Sequence, residues 1–453
     1  MEEGRQALTS DQPLAKGRLR QIVAYARKVY AVGPLLGEIT DGRRTPRMRS
    51  ELVAAIVFFT GLLRIRSFNA LEPRLKEECF LRLVEAREDE QLGSVDTLSR
   101  ALRVMDLDSV RAVSVEMLKK AERNKVFREG WHGALRHFAI DGWEPFCSDH
   151  RHCAECLVRH VRVKTADGVE KEVEQYYHRL VVAFLIGERF DLLLDFEPLL
   201  PKDLRPITAK PTKGKTQRVA KADLDEGELT AAHRLLRRVK ETFPWLDVVV
   251  GDALYANGPF LDAASRLGLG AVVIAKKQTD EPLKEALRIW GNSAPQTTVE
   301  DEKARERIEL WDCPDLETLD SYHGGKIRCV RARLTKLDQP NRQPSTWCML
   351  VTGSPQRRLS AEKVLKVARA RWHIENTGFH QWVTHWQFDH VFTHHANAIR
   401  ALFWLFLAAF NLLTLFLYCQ LRAYGRDRGK AVTRTISRLV DEMRDDLVRL
   451  DTS

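Results

Sequence analysis

Cysteine is scarce in this chain, and most of it is scattered. Of the eight in 453 residues, Cys79, Cys313, Cys329, Cys348 and Cys419 stand far apart. No secretory leader is read ahead of them, so a disulfide framework is excluded and reduced thiols in the cytoplasm are expected. Long apolar runs are equally rare. Ala401 to Cys419 has the length of a bilayer span, but it contains Asn411 and has no partner span elsewhere, which weighs against a membrane protein. Acidic residues are outnumbered, 62 against 72 Lys and Arg, and the net charge of +10 favours a polyanionic partner. Hydrophobic residues make up 44% of the chain, enough for a substantial core, and the length suggests about three domains.

Three carboxylates carry the chemical signal. Asp141 closes the apolar run His137-Phe-Ala-Ile-Asp141-Gly142, and Asp252 closes Leu246-Asp-Val-Val-Val-Gly-Asp252. Both runs read as buried strands with an acid at the tip, and either Asp alone could simply start a turn. The third acid, Glu375, lies four residues after Arg371 on one helix face, with Phe379 and Trp382 nearby. An aromatic face of this kind is buried or bound, and a buried carboxylate needs a metal or an arginine beside it.

The stretches Ala139-Ile-Asp141-Gly142, Val248-Val-Val-Gly-Asp252-Ala-Leu-Tyr255, Arg371-Trp-His-Ile-Glu375-Asn376-x-Gly378-Phe379 and Asp389-His390-Val-Phe-x-His394-x-x-Asn397-Ala-Ile399 resemble the DDE transposases of bacterial insertion sequences. The likeness is to the branch with a β-rich segment inserted before the last acid, and it covers roughly residues 90 to 420. It implies an α/β fold: an RNase H-like catalytic core with a β-rich insertion, preceded by an all-α N-terminal region. It also implies that Asp141, Asp252 and Glu375 hold Mg²⁺ or Mn²⁺, with Asp141 bridging two ions. Carboxylate oxygens suit these hard cations, which can activate a water or 3′-hydroxyl and stabilise the leaving oxygen. No covalent nucleophile is then needed. The family usually sets a tyrosine and a lysine around its arginine and glutamate; here Ala368 and Trp382 occupy those places, and Lys363, Lys366, Arg369 and His380 are the substitutes in range.

The remaining expectations follow from local pattern and from that resemblance. Residues 1–130 read as a helical DNA-binding or oligomerisation region, in which Ser94 caps a helix bearing Arg100 and Arg103. Residues 131–290 are the first part of the core, 291–355 the insertion, and 356–453 its helical end, where the apolar run at Ala401 becomes a helix packed on the catalytic sheet. Lys202, Arg205, Lys210, Lys213, Lys215, Arg218 and Lys221 form a polar, Pro-containing basic stretch suited to phosphate contacts, and Arg234, Arg237, Arg238 and Lys240 a second cluster on the next helix. In the insertion, Arg328, Arg331 and Arg333 alternate with apolar residues as on a wet sheet face, and Trp311 is the candidate for stacking on an extruded base. Cys147, His150, Cys153 and Cys156 have zinc-type spacings, with a structural zinc opposed by an incidental polar hairpin. The expected partners are double-stranded DNA and a second copy of the chain, with no membrane; localisation is cytoplasmic, on the nucleoid when DNA is bound. A nuclease without strand transfer and a DNA-binding, non-catalytic descendant are the alternatives.

Overall fold

Among the described residues, seven α-helices precede the first strand of the main sheet: α1 (Arg18–Tyr25), α2 (Val32–Gly37), α3 (Ser50–Leu62), α4 (Phe68–Leu71), α5 (Glu78–Leu83), α6 (Val95–Leu102) and α7 (Leu107–Arg123). The computed structural model describes residues 17–421 and 431–451, except 89, 91, 165–167, 169, 205–224, 277–280, 318, 320 and 340. The chain then runs through β1 (His137–Trp143), β2 (Cys147–Ser148), β3 (Leu157–Lys164), β4 (Glu170–Tyr177), β5 (Leu180–Ile186) and β6 (Asp191–Pro198). Helices and strands alternate next: α8 (Glu228–Thr242), β7 (Val248–Gly251), α9 (Gly258–Arg266), β8 (Gly270–Ile274) and α10 (Glu281–Trp290). Four more strands, β9 (Thr297–Asp301), β10 (Glu306–Leu316), β11 (Ile327–Lys336) and β12 (Ser345–Thr352), lead to α11 (Pro355–Arg358), α12 (Ala361–Ala370), α13 (His380–Trp386), α14 (Ala396–Leu415) and α15 (Ala431–Asp451).

Nine of the strands form one mixed sheet in the order β6-β5-β1-β7-β8-β12-β11-β10-β9. The β1/β7 and β7/β8 pairs are parallel, and β5 and β6 continue antiparallel from the other side of β1. Composition explains this placement. Leu180-Val-Val-Ala-Phe-Leu-Ile186 and Val248-Val-Val-Gly251 are apolar at every position and buried at every position, so they occupy interior strands covered on both faces. The segment expected as an insertion, 291–355, does not stand apart: β12 pairs with β8, and its strands extend the core sheet.

Helix α14 is the apolar run noted in the sequence. With the π-helical turn that follows, Ala396–Gln420 is long and apolar enough to cross a membrane, yet 94% of its most apolar window is buried inside the protein. It packs against α3, α6, α7 and β6. Asn411 explains how it fits there: its Oδ1 accepts from Leu193 N–H at 2.9 Å, and its Nδ2 donates to Leu193 O at 2.9 Å and to Ser114 Oγ at 3.1 Å. A buried amide is tolerated when its donors and acceptors are all engaged, and here it sews α14 to an outer strand of the sheet and to α7. At the other end of the chain, α15 packs on α1 and α5, and Arg444 donates to Leu63 O and Arg64 O at the end of α3. The N-terminal and C-terminal helices thus share one core.

Candidate active site

The parallel register of β1 and β7 pairs His137 with Val248, Phe138 with Val249 and Ala139 with Val250. Extending that register by two residues sets Asp141, near the carboxyl end of β1, opposite Asp252, which directly follows β7, on neighbouring strands about 4.8 Å apart. Ligand sites of open α/β sheets form outside those strand ends. Asp141 Oδ1 accepts from Gly142 N–H at 2.9 Å, and Asp252 Oδ1 caps the following turn by accepting from Leu254 N–H at 2.8 Å. Asp252 therefore starts the turn after β7, whereas Asp141 stays within the β1 ladder, opposite Val182 of β5.

The third acid comes from a distorted helix. Helix α12 gives way at Arg371 to a π-helical turn, Ile374–Phe379, which carries Glu375. Such turns widen a helix locally and are common at functional sites. Arg371, only 8% exposed, binds Asp141 Oδ2 through one terminal nitrogen at 2.7 Å and Glu375 Oε1 through the other at 2.8 Å. One guanidinium thereby joins the helix to the tip of β1.

Glu228, at the start of α8, is a fourth acid that the sequence reading passed over. Its Oε2 accepts from Arg179 at 2.7 Å and its Oε1 from Tyr255 O–H at 2.8 Å. A Cβ built on Gly142 would lie 2.2 Å from Glu228 Oε2, so only glycine allows this approach. Burial pushes the Asp141 carboxyl up to about 6; Arg371 pulls it down, while Asp252 and then Glu228 push it up again. Like charges crowded in a half-buried place are what a bound cation would relieve.

Other expected residues are placed as follows. Trp382 is fully buried among Trp143, Phe184 and Phe388, and Ala368 is in the core, so neither contacts DNA. Arg369 is paired with Glu306 at 2.9 Å and Lys366 with Glu362 at 2.7 Å, whereas Lys363 and His380 are exposed. Trp311 does not offer a free face for stacking: it is buried, its indole N–H donates to Ser293 O at 3.0 Å, and Arg331 covers the ring. Arg328 is turned inward as well, gripping Asp312 and donating to Leu359 O, so the expected wet basic face loses its first arginine. In the cluster on α8, Arg234 pairs with Glu197 and Glu226 and Arg238 with Asp195 and Glu197, while Arg237 is exposed. Lys210, Lys213 and Lys215 lie outside the described residues.

The cysteine-rich segment is resolved differently from its spacing. Cys153 and Cys156 converge with His178 and His394, while Cys147 and His150 are exposed and outside that group. His178 and His394 were missed as partners because nothing local marks them: one follows β4, and the other lies 238 residues beyond Cys156. Glu228 was missed because an acid in a first helical turn reads as an ordinary dipole partner.

Residues 213–412 match the family model described as "Transposase DDE domain", a range that includes Asp252, Glu375, Glu228 and Arg371 and begins after Asp141. None of the curated proteins matches the chain.

Proposed function

We propose that this chain, whose residues 213–412 match a transposase DDE domain, cuts DNA at the ends of a mobile element and joins the freed 3′-hydroxyl to target DNA. The observation that carries the reading is the β1/β7 register, which sets Asp141 beside Asp252, together with the arginine link from Asp141 to Glu375. The order β6-β5-β1-β7-β8, antiparallel on one side of β1 and parallel on the other, supports the RNase H-like core implied by the resemblance.

The donor set fits Mg²⁺ or Mn²⁺: it is all oxygen, crowded with negative charge, and reached from the strand tips. Asp141 would hold both ions, with Asp252 and Glu375 holding one each. Bound there, the ions would supply activation of the attacking water or 3′-hydroxyl and stabilisation of the leaving oxygen. Arg371 holds Asp141 and Glu375 at a fixed separation and balances part of their charge. Glu228, itself held by Arg179 and Tyr255, braces the tip of β1 from the opposite side. Lys210, Lys213 and Lys215 would contact backbone phosphates of duplex DNA, and pairing two ends requires at least two copies of the chain. The cytoplasm, on the nucleoid, is the corresponding location.

Labelled end DNA and a target plasmid test this. Wild type is expected to cleave with Mg²⁺ but not with EDTA, and to join product to plasmid. Asp252→Ala and Glu375→Ala are expected to bind DNA while losing cleavage by roughly a thousandfold. Cleavage without joining would make the chain a nuclease, and equal cleavage by wild type and Asp252→Ala would remove the proposed site.

A further inference from the structure

We propose that Cys153, Cys156, His178 and His394 form a closed zinc site at the base of the β3/β4 arm, with a structural role separate from the carboxylate centre. The four ligand atoms lie within 4.8 Å of one another. The sulfurs are 3.7 Å apart; His178 Nε2 is 3.4 Å from Cys153 Sγ and 3.5 Å from Cys156 Sγ, and His394 Nε2 is 3.2 Å from Cys156 Sγ. A tetrahedral ion with Zn–S of about 2.3 Å and Zn–N of about 2.0–2.1 Å requires ligand edges of about 3.8 Å between sulfurs and about 3.6 Å between sulfur and nitrogen. These four of the six edges fall within about 0.4 Å of those values, and the other two lie within 4.8 Å. Hydrogen bonds join thiols and imidazoles in pairs, whereas a shared ion accounts for four ligand atoms drawn toward one point.

The surroundings suit a structural ion. Cys153 N–H points at Cys156 Sγ at 3.3 Å, and Cys156 N–H donates to Cys153 O at 3.1 Å, which folds the Cys-x-x-Cys turn around its sulfurs. Phe146 packs its ring at 6.1 Å from both His178 and His394 and walls the site on one side. Glu155, inside the same turn, is clamped by Arg400 at 2.7 and 2.8 Å, so the segment beside His394 is tied to the turn a second time. Four protein ligands leave no open position, which marks a structural rather than a catalytic zinc.

Three distant segments meet here: the turn between β2 and β3, the corner between β4 and β5, and the loop entering α14. The antiparallel β3/β4 arm departs from this point, with Val158 and Val163 exposed along it. Zinc would fix the root of the arm relative to the sheet that carries Asp141. It depends on these side chains alone and stands whether or not the chain transposes DNA.

Metal analysis of the full chain, purified without chelator and reconstituted with Zn²⁺, is the test. About one zinc per chain is expected, with loss in Cys156→Ser and His394→Ala and retention in Cys147→Ser. Co²⁺ in its place should give thiolate-to-cobalt charge transfer and tetrahedral d–d bands. Should the variants fold poorly, wild type alone decides: chelation should lower the melting temperature, and Zn²⁺ but not Mg²⁺ should restore it. Wild type that takes up no zinc, a His394→Ala protein that keeps it, or equal loss in Cys147→Ser would overturn the site.

Discussion

Gly142 shows how little room separates the strand tips from their supports. Its substitution by alanine would place a methyl 2.2 Å from Glu228 Oε2 and 3.0 Å from an Arg179 nitrogen. Glu228 must then shift away from its bonds to Arg179 and Tyr255, beside Asp141. Cleavage is expected to fall about a hundredfold, as for small misplacements of reacting groups, while DNA binding measured by gel shift stays within a few-fold. Unchanged cleavage would mean that Glu228 does not brace the centre. At the start of the same strand, His137 is buried with its Nδ1–H donating to Leu135 O at 2.9 Å. Burial, reinforced by His132 and His373 against the backbone hydrogen bond and Asp191, pushes its pKa down to about 4. The unfolded chain, titrating near 6.5, binds more protons than the folded one between those values. Stability is therefore undiminished above pH 6.5 and declines as pH falls toward 4, by roughly 3 kcal/mol at most. Urea midpoints at pH 7 and pH 5 should differ less in His137→Gln than in wild type.

Elements are joined by polar devices that only distant residues reveal. Asn411→Leu would leave both backbone groups of Leu193 unpaired in the core, and a loss of about 2–4 kcal/mol is expected by denaturant titration. A membrane-spanning role for α14 would predict the opposite, since leucine is the more apolar residue. Gly61 is the point of closest approach between α3 and α14: an added Cβ would lie 2.8 Å from the Phe406 ring and 3.1 Å from Phe406 Cα. Gly61→Leu should lower the melting temperature by several degrees. At this scale much of the sequence was legible. The apolar runs leading to Asp141 and Asp252 are strands, with Asp252 just past its strand and Asp141 two residues short of the end of its own, and the described residues from 17 to 123 are mainly helical. Neighbour relations were not legible. The strands of 291–355 were legible as strands, but nothing local tells β12 to pair with β8. Arg234 and Arg238 of α8 looked outward because Asp195 and Glu197 lie on β6, some forty residues earlier. Trp311 looked available until its indole and its ring were both found in use.

For the whole molecule, the pairing of Arg234 and Arg238 with acids means that a positive total need not be a positive surface. Phosphate contacts are expected to come chiefly from the basic stretch containing Lys210, Lys213 and Lys215. Changing all three to alanine should weaken binding to any duplex alike and reduce the salt slope of log K by roughly 2–3. Unequal losses on end and non-end DNA would instead give those lysines a part in sequence reading.

The joining of β8 to β12 also has a consequence for synthesis on the ribosome. The strand beside β7 finds its other neighbour only some eighty residues later, Glu375 follows after that, and α3 must wait for α14 near the end of the chain. Contacts so distant in sequence close slowly and late. A chain halted before residue 375 would carry Asp141 and Asp252 without Glu375, and so an incomplete set of the proposed metal ligands. If the proposed function holds, truncated products of the gene are expected to lack DNA cleavage, which the labelled-end assay would read directly.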